Sequence, residues 1–484
     1  MLARRNRCRL RDLMTRFGMV GTRTLRMAAM ALLAVAATYS PAGARLLQGN
    51  PTNYNTLIAT LAPGDTLRLQ AGNYVRLSLR NVIGTPSQWI TIMGPASGPP
   101  AVIQGESCCN TVQLYGCSYL AIRRLTIDGR GLDVDGVNAK APTSHDILIE
   151  GCTLINFGSS QSTVAISTKT TVWNWTIRGN SILEAGTGMY LGNSDGTFPF
   201  IAGVIEGNFV KYPAGYCMEI KQQNPYTLQP GMPAGPNRTI IRNNVFLKDD
   251  RPSPSGDRPI FLVGEFPDTG PGSSDLYEVY GNFACHNSRE SIFQGSGRVV
   301  VHDNIFADAG SDQAAVYFMD HNGPLKLAYA YNNTIYGGAQ GIRFANQPRV
   351  AGGAVGNLVF ADSPISSCGG CSVTVRDNVT APVADAGQYV ASPSRTLGSM
   401  DFYPRADCAS CPGTPIDFSL FTTHTDYNLD FNGGPKGAWV FRGAYAGSGA
   451  NPGWRLNAGL KGGGPGSAGT DRIPPADTTG LHHR

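Results

Sequence analysis

The most regular feature of the chain is a short alternating strand that ends in asparagine. It recurs at Trp175 to Asn180, Gly203 to Asn208, Thr239 to Asn244, Tyr277 to Asn282, Val299 to Asn304, Ala328 to Asn333, Gly352 to Asn357 and Ser372 to Asn378. Alternation with period two puts successive side chains on opposite faces, so each segment predicts a β-strand with one apolar side. A second short apolar pair usually follows the Asn, as in Phe209-Val210 and Val245-Phe246. Successive asparagines lie 28, 36, 38, 22, 29, 24 and 21 residues apart. The short intervals match one bare solenoid coil, and the long ones match a coil carrying an inserted loop. Stacked coils must bring the chain back in register about 4.8 Å from the preceding strand, so loops can vary while corners cannot. Asn suits such a corner because it tolerates left-handed backbone angles and can hydrogen-bond its counterparts along the stack. The pattern predicts an all-β fold, a single-stranded right-handed parallel β-helix. Propeller blades would repeat more evenly, and a sandwich would show more hairpin signals such as Asn-Gly.

Between the Asn corners runs another set of strands: Gly188 to Gly192, Cys217 to Lys221, Pro259 to Val263, Ser291 to Gly295, Ala315 to Met319 and Gly341 to Ala345. Their alternation predicts an inward column of Met189/Leu191, Met218/Ile220, Ile260/Leu262, Ile292/Gln294, Val316/Phe318 and Ile342/Phe344. The outward positions are then Tyr190, Glu219, Lys221, Phe261, Val263, Phe293, Tyr317 and Arg343. Tyr54 to Leu61 predicts a short amphipathic helix, a cap for a first coil that would otherwise present apolar side chains and an unpaired strand edge. The β-helix is expected over residues 45–400, a C-terminal coil or capping segment over 401–461, with a last strand at Phe441 to Tyr445, and a flexible tail over 462–484.

Composition supports short strands between tight turns: 60 Gly and 32 Pro, with only 15% charged residues. The first residues read as an export leader over 1–44. Eight arginines from Arg4 to Arg26 precede the apolar run Met27 to Ala37 and the small-residue site Ala42-Gly43-Ala44. That run is too short to span roughly 30 Å of hydrocarbon. Removing the leader takes eight arginines and one acid, so the formal +5 becomes about −2. The basicity belongs to the leader, and nothing global points to nucleic acid or to an anionic membrane surface. A secreted or periplasmic monomer without an integral membrane segment is expected. Ten cysteines remain, an even number that favours disulfides in an oxidising compartment; Cys368, Cys371, Cys408 and Cys411 could alternatively make a four-thiolate zinc site, and buried free thiols are the third option.

The stretch Asn55 to Tyr74, with Pro63-Gly-Asp-Thr66 and Ala71-Gly-Asn-Tyr74, resembles the entry of exported pectate-lyase-like β-helix proteins, as do Ile90 to Ile92, Gly116 to Tyr119 and Leu125 to Gly129. The order is most similar to lyases of the chondroitinase B and alginate lyase type. The stretches Arg258 to Gly264, Tyr277 to Asn282 and Ser291 to Gln294 also look like a bacterial group of β-helix proteins without an assigned activity. The resemblance implies a polysaccharide partner and, in the lyases, a Lys on an outward strand that takes the proton at sugar C5. An Arg one coil later assists, and acidic groups hold calcium. Lys221 matches the first role. The match is incomplete, because Glu219 alone precedes Lys221, the outward slot one coil on holds Phe261 and Val263, and Arg258 lies just before that strand.

The resemblance implies a site with Lys221 and Arg258 as the catalytic cations and Glu219 as a substrate contact and candidate calcium ligand. Tyr190, Phe261, Phe293 and Tyr317 would offer a row of rings for stacking sugars, with Arg343 beside them. Glu219 on the same strand would raise the pKa of Lys221 rather than lower it, unless a metal engages the carboxylate. A hydrolase would need two paired carboxylates, and Asp257, Glu265, Asp268 and Glu290 form no such pair in the sequence. Asp128, Asp133 and Asp135 read as a hydrogen-bonded turn sooner than a calcium site. The histidines show no metal spacing, and His302, in the outward slot shared by Arg242 and Tyr280, is expected at the solvated surface. Cleavage of an acidic polysaccharide by β-elimination is the first reading, and a non-catalytic glycan-binding or cell-surface β-helix is the alternative.

Overall fold

The computed structural model of the chain describes residues 43–310 and 312–462; the expected leader and tail lie outside them apart from their inner ends. Each coil contributes one strand to each of three parallel sheets, of 13, 12 and 11 strands. Sheet I runs from Leu46–Gly49 to Thr374–Arg376, sheet II from Gly72–Val75 to Val379–Ala381, and sheet III from Leu77–Arg80 to Ser363–Ser367. The molecule is a parallel β-helix. Its last strands in the three sheets each pair on one side only among the described residues. The cap helix is shorter than expected, Tyr54–Ile58, and buries Tyr54 edge-on against Tyr74 with ring centroids 5.2 Å apart. None of the helices among the described residues is long and apolar enough to cross a membrane.

The asparagines stand one above another at the corner between sheets I and II. Each Nδ2 donates to the Oδ1 of the Asn one coil on, at 2.9–3.0 Å, from Asn180 through Asn208, Asn244, Asn282, Asn304, Asn333 and Asn357 to Asn378. The same Oδ1 accepts the backbone N–H of the preceding Asn. Seven of the eight, Asn180 to Asn357, are fully buried, so the file of amides satisfies a corner that water does not reach. The left-handed backbone falls one residue earlier than expected. Gly179, Gly207, Asn243, Gly281, Asp303, Asn332, Gly356 and Asp377 carry it, with φ between +50° and +67°. The Asn itself supplies the amide, and its neighbour, usually Gly or a short polar residue, supplies the bend.

Close stacking leaves little room on the inward face. A Cβ built on Gly188 would lie 2.3 Å from the Cys217 carbonyl oxygen and 2.8 Å from a Val210 methyl. Gly188→Ala is therefore expected to cost about 1–3 kcal/mol in urea unfolding; a loss under about 0.5 kcal/mol would show that the coils can separate to accept it.

Register on sheet III differs from the expectation at two coils. Met218 pairs with Phe261 and Glu219 with Leu262; Phe261 pairs with Phe293 and Leu262 with Gln294. Phe261, Val263 and Phe293 thus point inward and are fully buried in the core. Leu262 and Gln294 take the outward slots. The apolar runs Ile260 to Val263 and Ile292 to Phe293 carry no clean alternation, so the pattern left the face undetermined by one residue. The outward column reads Ser167, Tyr190, Glu219, Leu262, Gln294, Tyr317, Arg343, Ser366.

Residues from Val383 onward run back along the outer faces of sheets II and I. Phe402, Tyr403, Phe431 and Tyr445 join a cluster with Phe283, Tyr336, Leu358 and Phe360 of sheet II, while Phe418 and Phe421 pack on Val300 and Tyr331 of sheet I. Phe441, expected in a last strand, makes an isolated bridge to Pro412. This wrap overturns the surface reading of His302. The ring is fully buried, stacked between Tyr280 and Tyr331 at 4.7 and 4.6 Å, and its Nδ1 meets Asp303 at 2.8 Å. Lys436 from the wrap donates to the same Asp303 carboxylate at 2.7 Å.

Candidate active site

The outer face of sheet III holds a groove of about 330 Å³ lined by Lys169, Tyr190, Tyr216, Glu219, Lys221 and Arg258 with Gln161, Ser194 and Ser255 among its polar walls. Two outward columns build it. Glu219 follows Tyr190 in the first. In the second, the Lys221 N–H donates to the Leu191 carbonyl at 2.9 Å, which sets Lys221 one coil on from Gly192; Lys169 stands one coil before Gly192, two residues past Ser167 as Gly192 is two past Tyr190. Gly192 has φ +91°, and a Cβ there would sit 3.2 Å from Lys221 Cβ. Its bare backbone leaves a gap between the lysines. Their ammonium groups lie 4.1 Å (Lys169) and 5.7 Å (Lys221) from the centroid of the Tyr190 ring.

The third cation arrives from the strap of chain between sheets II and III. Arg258 sits 5.8 Å from the Tyr216 ring centroid and donates to the carbonyls of Ser255 and Asp257. The strap is pinned across the groove by the buried Gln161 amide, whose Oε1 accepts from Ser255 N–H at 2.8 Å and whose Nε2 donates to Gly256 O at 2.9 Å. Arg258 therefore belongs to the site despite preceding its strand. Arg242 does not. It lies on sheet I in a column of alternating charge with Arg178 and Glu206, and Glu206 accepts from it at 2.7 Å.

Glu219 is buried, with 2% of its surface exposed, and accepts from Lys221 Nζ at 2.8 Å. Burial raises its pKa, against the pull of Lys221, Arg258 and Lys169. Burial lowers the pKa of Lys169, and Lys221 adds to that effect. Burial also holds the Tyr216 hydroxyl in its protonated form beyond the ordinary tyrosine range. Lys169 makes no ion pair among the described residues, whereas Lys221 pairs with Glu219. An unpaired, half-buried ammonium beside a second cation is the arrangement that releases a proton most readily. Sequence pattern alone missed it, because the stacking asparagines begin one coil later.

Glu219 is the single carboxylate among the lining residues, and it offers calcium far fewer oxygens than the six to eight that ion takes. Among the described residues no three acidic, histidine or cysteine side chains gather to hold a metal. The groove does not fit calcium. Asp128 and Asp135 instead accept from the protein itself, Asp128 from the Arg130 N–H of its own turn at 2.8 Å and Asp135 from Ser167 Oγ of the next coil at 2.8 Å. Of the expected ring row, Tyr190 lines the groove; Tyr317 shares its column four coils away, with Arg343 5.3 Å from its ring centroid, and Phe261 and Phe293 are in the core.

Replacing Lys221 leaves a buried acid without its closest partner. Lys221→Met is expected to cost about 3 kcal/mol at neutral pH. Since the folded state holds the Glu219 pKa above its unfolded value, the variant should be most stable below about pH 4 and lose stability as pH rises through the folded pKa. Urea midpoints measured from acidic to neutral pH check this, and a flat profile would mean that Glu219 does not need the ammonium.

No protein-family model matches the chain, and no curated protein is significantly similar to it in sequence. Among solved structures, a pectate lyase superposes with a TM-score of 0.43 at 13% identity, covering 87% of this chain and 97% of its own. A polysaccharide lyase from Pseudopedobacter saltans gives 0.44 at 12% identity, covering 70% and 93%. An alginate lyase from Paenibacillus sp. strain FPU-7 gives 0.38 at 14%, covering 69% and 99%. The two cysteine pairs are local disulfides, Cys368–Cys371 and Cys408–Cys411.

Proposed function

We propose that the chain is an exported enzyme that binds an acidic polysaccharide along the outer face of sheet III and cleaves it by β-elimination. One observation carries the reading: three cations and two tyrosines converge on a groove whose lone acid is already neutralised by contact with one of them. Such a surface attracts an anionic chain and repels a cationic one. Elimination needs a base for the proton beside the uronate carboxylate, cations to offset the charge that develops there, and an acid for the leaving oxygen. Lys221 was the expected base, but its ammonium is held by Glu219, so in our reading Lys169 takes the proton while Lys221 and Arg258 face the carboxylate. The protonated Tyr216 hydroxyl is the donor to the departing glycosidic oxygen. A bound chain continuing along the column would pass Tyr317, about 19 Å or four strand spacings from Tyr190, and then Arg343 one strand further.

Incubation of the purified protein with alginate, pectate and chondroitin sulfate, followed by ultraviolet absorbance of the unsaturated uronate product, tests the reading. A rise on at least one polymer, absent in Lys169→Ala, is expected. Retained binding with no rise on any of them would instead favour a non-catalytic glycan-binding protein.

A further inference from the structure

The six unpaired cysteines among the described residues divide sharply by environment. Cys117, Cys152 and Cys217 lie in the solenoid core, and Cys285 lies beneath the C-terminal wrap. Each stands by itself among apolar side chains, and burial pushes its thiol up, Cys152 to about 12. Such thiols are inert to exchange. Cys108 and Cys109 differ in exposure and in having a cysteine neighbour. They are adjacent in the chain, Cys108 exposed and Cys109 half-buried. They close a tight turn in which Cys109 N–H donates to Glu106 O at 3.1 Å, and the Glu106 carboxylate holds Arg76 at 2.9 Å. The turn lies between the sheet II strand Ala101–Gln104 and the sheet III strand Val112–Tyr115, so the peptide joining the two cysteines is in neither.

We propose that Cys108 and Cys109 form a thiol–disulfide exchange site for small-molecule disulfides, independent of the groove on sheet III. Cys108, the accessible partner, attacks as its thiolate; the small disulfide's S–S bond breaks, one thiol leaves, and Cys108 is left in a mixed disulfide. Cys109 then attacks the Cys108 sulfur, expels the second thiol, and closes an eight-membered vicinal disulfide. Two protein thiols are oxidised, one small disulfide is reduced to two thiols, and the protons lost by the cysteines end on the departing sulfurs. Contact with Cys109 raises the Cys108 thiol, so the first step quickens as pH rises toward the alkaline range.

The test is incubation of the full folded chain with oxidised glutathione, an acid quench, alkylation and mass spectrometry of the peptide holding both residues. The expected product is lighter by two hydrogens, takes no alkyl group and carries no glutathione. Cys109→Ser, which removes the resolving thiol at a surface turn, should stop at one glutathione on Cys108. Circular dichroism melts matching the parent show that both proteins are folded. Recovery of both cysteines as alkylated thiols, two glutathiones on the parent peptide, or a Cys109→Ser protein that takes none would each overturn the proposal.

Discussion

Lys169→Ala is expected to lower the rate of polysaccharide cleavage by roughly 10²–10⁴ while leaving the unfolding midpoint within about 0.5 kcal/mol of the parent. The stability half follows from the position of the Lys169 ammonium, which rests over the Tyr190 ring at 4.1 Å and makes no ion pair among the described residues, while Glu219 takes its direct contact from Lys221. The rate half follows from the chemistry. A lysine accepts a proton only when neutral, so activity should rise with pH through the Lys169 pKa, which burial and Lys221 hold below the ordinary value of about 10.4. The substrate carboxylates are ionised throughout that range and contribute no slope. Lys169→Ala should remove this limb of the profile, whereas Lys221→Met should depress stability and substrate affinity with the limb retained. If the two variants exchange these signatures, the base is Lys221.

Asn244→Ala should be the costliest single truncation of a polar side chain in the solenoid. Asn244 Oδ1 accepts both the backbone N–H and the Nδ2 of Asn208, at 3.0 and 2.9 Å, and its own Nδ2 donates to Ile205 O and Asn282 Oδ1, each at 2.9 Å. Truncation strands the Asn208 backbone N–H and removes one partner each from Asn208 Nδ2, the Ile205 carbonyl and Asn282 Oδ1, in a corner from which water is excluded; Asn208 Nδ2 keeps Ile177 O and Asn282 Oδ1 keeps the Asn244 N–H. Unsatisfied buried groups cost about 1–3 kcal/mol each and partly relax together, so a total of about 3–5 kcal/mol is expected. Asn378 ends the file half-exposed, and its truncation should cost about 1 kcal/mol. Equal losses at both positions in urea unfolding would refute the idea that burial of the file sets its worth.

The asparagines were legible because a corner that repeats once per coil leaves its mark in the sequence whatever the length of the intervening loops. Tyr190, Glu219 and Lys221 followed from them, since each lies on a strand whose apolar and polar residues alternate. Phe261 and Phe293 did not, because the residues flanking them are also apolar and a strand without alternation has no readable face. Lys169 was hidden for another reason. Its coil meets the corner at Cys152, whose N–H donates to Asn180 Oδ1 at 2.9 Å, so the file continues through a residue that carries no amide. His302 shows the limit for distant contacts. Nothing local to it announces that Lys436 and Phe421 will cover it, for the covering segment reaches the neighbourhood of His302 from far along the chain, through hydrophobic packing, the buried Lys436–Asp303 pair across 133 positions and a hydrogen bond from Tyr280 to Asp426.

Because the wrap runs back along the flank, the final strands Ser363–Ser367, Thr374–Arg376 and Val379–Ala381 keep one side unpaired. A row of free backbone donors and acceptors is a template on which another molecule can polymerise. Here the template is chemically uninviting. Pro364 offers no N–H, Ser363, Ser366, Ser367 and Thr374 keep water close, and an incoming strand would have to dehydrate Arg376 together with its partner Asp377, 2.6 Å away. Growth of a fibre from this tip would thus have to overcome a handful of hydrophilic side chains on the end strands themselves.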